Sequence, residues 1–206
     1  MDESGPIVTT LAEVAGEEQS CRRCPLYKNA TQVVPGEGRA GAPLMLVGEQ
    51  PGDSEDREGR PFVGPAGRVL DRALKEAGIE RDDTFVTNAV KHFKFEERGK
   101  RRLHKRPDAY EIERCQWWLN LEREIVRPKL IVALGATALR GLLGRAATIT
   151  SLRGKPQALT DGTHLMATIH PSFLLRLREE ADKRREYNLF VADLVAARDL
   201  LKTQQS

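Results

Sequence analysis

Four short apolar runs, each cut off by a polar stretch rich in Gly, Pro or Asn, constrain this chain more than any other feature. They are residues 43–47 (PLMLV), 84–87 (TFVT), 130–134 (LIVAL) and 164–169 (HLMATI). Runs of this length between breakers read as buried strands. Helical patterns separate them. Residues 65–77 put Val69, Leu70, Ala73 and Leu74 on one face, and Gly78 supplies a stop. Pro107-Asp108 opens a long helix through Val126, with Ile112, Cys115, Trp118, Leu119 and Ile125 at core spacing. Shorter helical patterns cover 9–20 and follow Gly135, and residues 184–202 form an amphipathic closing helix. Strands alternating with helices predict a three-layer α/β/α arrangement around a central four-stranded parallel sheet. With 206 residues the chain fits one domain, 1–206. Ligands of such sheets bind beyond the carboxyl ends of the strands, so the polar clusters at 49–53, 88–92 and 170–176 are expected to converge.

Charge is unevenly placed. The chain carries +3 overall, yet residues 91–107 hold eight basic residues against Glu96 and Glu97, a local +6 on a body of −3. A basic loop insertion of this kind suits a polyanion. No apolar run approaches the roughly 18 residues of a membrane span, and the polar start MDESGPIVTT has no export signature, so a cytoplasmic protein, nucleoid-associated when on DNA, is expected. Nothing in the sequence suggests more than a monomer. Three cysteines, an odd number, argue against a disulfide framework. Cys21 and Cys24 form a CxxC within the amino-terminal segment 1–30. That spacing serves one metal, an iron of a cluster or a redox pair.

Four motifs in order narrow the reading. Gly48-Glu49-Gln50-Pro51-Gly52-Asp53 follows the first strand, and Gly59-Arg60-Pro61-Phe62-Val63-Gly64 comes next. Asn88 ends the second strand, and His170-Pro171-Ser172-Phe173-Leu174-Leu175-Arg176 ends the fourth. Together with the upstream CxxC they resemble the iron–sulfur branch, family four, of the uracil-DNA glycosylase superfamily, over nearly the whole chain from Cys21. Gln50 and the insertion Lys100-Arg101-Arg102-Leu103-His104-Lys105 depart from that branch and resemble its subgroup called uracil-DNA glycosylase X.

The resemblance implies a uracil-excising enzyme on DNA, single-stranded by preference, that ends joined to C1′ of the sugar through His104 in a single turnover. Glu49, Gln50, Asp53 and His170 are its other catalytic candidates. Gln50, Phe62, Asn88 and His170 are implied to bind uracil. Arg101, Arg102, Lys105, Ser172 and Arg176 are implied to hold the strand. The residue types suit the chemistry: an amide offers uracil a donor and an acceptor, and an imidazole can stabilise the departing anion. Carboxylates can stand against the sugar cation. Basic neighbours disfavour protonation of His104, while Glu49 opposes them. Branch members place cluster ligands in the CxxC, after the Asn-bearing strand and on the next helix. The matching residues are Cys21, Cys24, His92 and Cys115, which implies a structural [4Fe-4S] cluster, with zinc as the alternative for a Cys₃His set.

Two other outcomes stay open on the residues. Water could complete the reaction, giving a multiple-turnover glycosylase in which His104 only contacts phosphate. The chain could also hold uracil-containing DNA reversibly without catalysis. His164 matches no motif position and reads as structural, as does Trp118 in the core.

Overall fold

A computed structural model describes residues 8–203, so most of the polar amino-terminal stretch read above lies outside the described residues. The main sheet places its five strands side by side in the order Thr84–Asn88 (β2), Leu44–Gly48 (β1), Leu130–Leu134 (β5), His164–Thr168 (β7) and Gln157–Ala158 (β6). Its body is the four parallel strands β1, β2, β5 and β7. These are the four expected strands. β6 adds a short antiparallel edge on β7. Two residues are too few to show a period, which is why the sequence reading lacks it.

Side chains alternate across each strand. Leu44, Leu46, Val86, Val132 and Leu134 point to one face, where they meet Leu70, Ala73 and Leu74 of α3 (Pro65–Ala77) and Phe190 and Leu194 of α8 (Glu180–Thr203). α7 (Pro171–Arg176) adds Leu174 to the same layer. Met45, Val47, Phe85, Ile131 and Ala133 point the other way, against Leu119 and Val126 of α4 (Ala109–Val126) and Leu139 and Leu142 of α5 (Ala136–Leu143). Every residue of β1, β2 and β5 is buried, and full burial of each such Leu or Val is worth about 1.5–3 kcal/mol. The fold is therefore α/β in three layers. α1 (Leu11–Glu18) packs on α4, and the short α2 (Asp53–Glu58) and α6 (Ile149–Leu152) complete the helices. No described helix is long and apolar enough to cross a membrane.

The helix ends obey local chemistry. Asp108 caps α4, accepting from the Glu111 amide while Glu111 returns the bond in a capping box. Gly78 closes α3 in the left-handed region at φ 69°.

The basic insertion is not a loop. It folds into an antiparallel hairpin of β3 (Phe95–Arg98) and β4 (Arg101–His104), in register Phe95↔His104 to Arg98↔Arg101. Gly99, at φ 61°, takes the first of two turn positions, where a type II′ hairpin needs glycine. The signal was present as Gly99-Lys100 between two four-residue runs, masked by the density of charge.

The segment joining α2 to α3 carries one strained residue. Phe62 sits at φ 57°, a region costly for a side chain with a Cβ. Gly67, in the first turn of α3, permits it, since a Cβ there would stand 1.7 Å from the Phe62 carbonyl oxygen. Gly67→Ala should therefore lower unfolding free energy by about 2–3 kcal/mol, as overpacking does. Urea unfolding measures this, and an unchanged midpoint would show that α3 does not hold Phe62 in place.

Candidate active site

The polar clusters meet beyond the carboxyl ends of the parallel strands. They enclose a cavity of about 410 Å³ whose lining includes Glu49, Gln50, Phe62, Asn88, His104, His170, Ser172 and Arg176. Among the parallel strands, β1 is followed in sequence by β2 on one flank and β5 by β7 on the other, so the chain reverses its direction of travel between β1 and β5. That crevice is where an open α/β sheet leaves room for a ligand.

Two walls are set by Gly48 at the end of β1. A Cβ there would stand within 2.6 Å of the Phe62 ring and closer still to Asn88 Oδ1. Its absence lets the ring and the amide approach side by side. Asn88, last in β2, is 2% exposed. Phe62 stacks toward His170, with ring centroids 5.9 Å apart and planes 29° from parallel.

His170 is oriented by its own loop. The Ser172 amide donates to Nδ1 at 3.1 Å, and Ser172 Oγ lies 2.8 Å from the same nitrogen. Arg176 Nη1 donates to that Oγ at 3.1 Å. With Nδ1 accepting, a neutral ring carries its proton on Nε2. Burial pushes the imidazole down to about 4, aided by Arg176 and His104 and opposed by Glu49. The ring is thus a neutral donor at pH 7.

Glu49 stands on the crevice between β1 and β5. The Thr137 hydroxyl, at the start of α5, donates to Oε2 at 2.5 Å and accepts from Arg106 Nε at 3.1 Å. Oε1 is 3.3 Å from Nε2 of His104, whose side chain is half exposed. Burial alone would raise the carboxyl pKa. Bonds from His104 and Thr137, with the charges of His104 and His170, reverse this and hold it below the ordinary value. Sequence reasoning missed Thr137; its only signal was a hydroxyl three residues beyond the third strand, opposite Glu49.

Gln50 and Arg102 fix the hairpin that carries His104. The Gln50 amide donates to the carbonyls of Lys94 (3.1 Å) and Lys105 (3.0 Å), and its Oε1 accepts from the Lys94 amide (3.1 Å). It lines the cavity, but its polar atoms are directed to the hairpin root instead of to a base. Arg102 bonds Asp53 (2.5 Å), Asp56 (2.6 Å) and Thr31 (3.0 Å), and its guanidinium lies over Phe93 and Phe95. Only 14% of that side chain is exposed, so Arg102 anchors the hairpin to the body and is not an open phosphate contact. Asp53 is committed to Arg102 and Arg57 and does not line the cavity. Arg101 is exposed, and Lys105 pairs with Glu96 at 2.5 Å on the surface.

The +6 of the insertion is likewise reduced at the surface. Lys91 is fully buried against Glu122 (2.6 Å) and the Thr87 hydroxyl. Burial works against its charge, but Glu122 and Glu18 outweigh that, so the ammonium is stabilised. Glu18, with no hydrogen-bond partner on either oxygen, is pushed up to about 8, chiefly by burial. Lys94 binds Asp108 and Glu111.

Cys21, Cys24 and Cys115 share one buried cluster with Val14, Val90, Ile112 and Trp118. Burial pushes the Cys24 and Cys115 thiols up, Cys115 strongly. Thiolates here therefore require a cationic partner. Two N–H groups already aim at sulfur: Lys91 N at Cys115 Sγ (3.2 Å) and Trp118 Nε1 at Cys21 Sγ (3.1 Å). Buried sulfurs receiving such bonds fit an iron–sulfur group. His92 is 5% exposed, and burial lowers it to about 4, leaving the neutral ring that a ligand needs. Among the described residues, no group of three His, Cys, Asp or Glu is arranged to hold a single ion.

A mostly parallel sheet with a carboxylate- and imidazole-lined crevice at its switch point defines a class of α/β protein. Residues 35–195 match the uracil DNA glycosylase superfamily, and the chain belongs to that family. It is 38% identical over 196 residues to the type-4 uracil-DNA glycosylase of Thermotoga maritima, covering 94% of this chain and 96% of the relative. It is 40% identical over 175 residues to the type-4 enzyme of Pyrobaculum aerophilum, covering 80% and 86%. The type-5 enzyme of the same organism is 32% identical over 155 residues, covering 68% and 65%.

Two expectations follow from the site. Free histidine titrates near 6.5 and folded His170 at about 4, so the unfolded chain binds the extra proton between these values. Stability is then complete above about pH 6.5 and falls as pH drops toward 4. His170→Gln should flatten this fall in urea midpoints taken across the window; equal acid slopes would mean that the folded ring is not held neutral. Thr137→Val should raise the Glu49 pKa, read by carboxyl NMR titration, and Thr137→Ser should restore it. No change in Thr137→Val would remove the hydroxyl from the account of Glu49.

Proposed function

We propose that this protein excises uracil from DNA, preferring single strands, and then traps itself on the strand through His104. The observation that carries the reading is a histidine held at the cavity mouth, 3.3 Å from the Glu49 carboxylate, on a hairpin pinned by Gln50 and Arg102. A glycosylase must take the nucleotide out of the stack, at a few kcal/mol in a duplex and less in a single strand. The extruded uracil lies along Phe62, and Asn88 reads its edge with one donor and one acceptor.

As the bond from C1′ to N1 breaks, its electron pair leaves on uracil. The His170 Nε2–H donates to that anion, a preorganised dipole aimed at developing charge. The sugar becomes cationic beside ionised Glu49. As His104 Nε2 forms the bond to C1′, its proton passes to Glu49 Oε1, 3.3 Å away, which leaves a neutral alkylated imidazole. Uracil takes a proton from solvent. Gln50 acts by placing the hairpin. Arg101, Lys105, Ser172 and Arg176 hold phosphates, which makes binding weaken with salt.

Cys21, Cys24, His92 and Cys115 would hold a [4Fe-4S] cluster, which supplies a structural cross-link between the amino-terminal segment, α4 and the root of the hairpin. Lys91 and Trp118 direct N–H groups to its sulfur ligands. Zinc on the same residues would leave the protein colourless.

The type-4 names of the relatives favour a second reading, in which water captures the sugar cation and the enzyme turns over. A denaturing gel with a labelled single strand containing one uracil separates the two. A boiling-resistant shift that needs both uracil and His104, and is absent in His104→Ala, is the expected result. Alkali-labile strands without a shift would establish turnover, and unchanged DNA would leave only reversible binding.

A further inference from the structure

Large apolar side chains stand exposed at five described positions: Leu103, Tyr110, Trp117, Leu175 and Leu189. Two of these lie on α4. Tyr110 is 56% exposed and Trp117 37%, and seven residues of helix put them on one face about 10 Å apart. Arg114 lies between them. Arg23 lays its guanidinium over the Trp117 ring, 4.8 Å from the centroid. The two arginines are held by reciprocal bonds to backbone: Arg23 Nε donates to the Arg114 carbonyl (3.4 Å) and Arg114 Nε to the Arg23 carbonyl (3.2 Å). Those bonds go to carbonyls instead of carboxylates, so both positive charges remain open to a phosphate. Glu113 is exposed on this face, Asp108 before it is paired with Lys94, and the exposed Arg22 lies over the Tyr27 ring.

The face continues from the candidate site. Lys94 bonds the Lys105 amide through its carbonyl, and its ammonium binds Asp108 and Glu111 in the first turn of α4. Tyr110 therefore follows directly on the hairpin that carries His104. Exposed aromatics interleaved with arginines form a stacking platform for unpaired bases, whose faces a duplex does not offer.

We propose that Tyr110, Arg114 and Trp117 of α4, with Arg23, form a second single-strand contact that stacks bases of the flank on one side of the extruded nucleotide. The proposal rests on the uracil-excision reading for the strand's path, but its first test does not need excision. Labelled uracil-free thymidine strands of about four and about twelve nucleotides are titrated against the full chain by fluorescence anisotropy. Stacking of one base on an aromatic is worth roughly five- to over a hundredfold in affinity. The double variant Tyr110→Ala/Trp117→Ala should lose at least about tenfold on the longer strand and far less on the shorter. Leu189→Ala, exposed elsewhere, should match the parent on both.

Uracil release from strands extended only 5′ or only 3′ of the uracil then locates the flank, with the rate advantage of one extension lost in the double variant. Equal affinity of parent and double variant for the longer strand would overturn the proposal. So would loss of both extensions together, or a parent dimer that the double variant converts to monomer, which would make the face a contact between copies. A parent that releases no uracil yet shows the length-dependent loss would instead sink the excision reading.

Discussion

The side-chain amide of Gln50 ties the end of β1 to both strands of the hairpin, and the placement of His104 depends on it. Three hydrogen bonds from one residue reach Lys94 and Lys105, the positions that flank the hairpin. A two-stranded ribbon standing alone is marginal in water. Here it gains a polar clamp at its root and, through Arg102, two carboxylates and two aromatic faces beneath it. The cost of ordering a charged insertion is offset by commitments within the protein, which leave the imidazole at the cavity mouth.

The same logic governs the other buried charges. Lys91 links Glu122 and Thr87 on one side to the Cys115 sulfur on the other, and Thr87 immediately precedes Asn88. A buried ion pair adds little net stability over apolar packing, yet breaking it is expensive. Its position makes β2, α4 and the thiol cluster one connected unit. Asn88 and the thiol cluster thereby share a support.

Much of this architecture was legible from residue order. The strands at 44–48, 84–88, 130–134 and 164–168 announce themselves because each is a buried apolar run closed by a breaker. The convergence of 49–53, 88–92 and 170–176 follows from parallel topology alone. Residue type was less informative about direction. Lys91 and Arg102 read as surface cations because charge in a basic run says nothing about which side chains turn inward, and only the facing Glu122, Asp53 and Asp56 decide it. Gln50 and Asp53 similarly read as site groups by their place in a motif, while their hydrogen bonds serve the hairpin. Thr137 and the Arg23–Trp117 stack escaped because each depends on residues about ninety positions apart.

Self-trapping requires that the imidazole of His104, and no other group, captures C1′. Peptide mapping by mass spectrometry, after reaction with a uracil-containing single strand and nuclease digestion, tests this directly. The deoxyribose remnant is expected on the imidazole of His104. Attachment at any other residue, or an unmodified chain beside stoichiometrically released uracil, would contradict it.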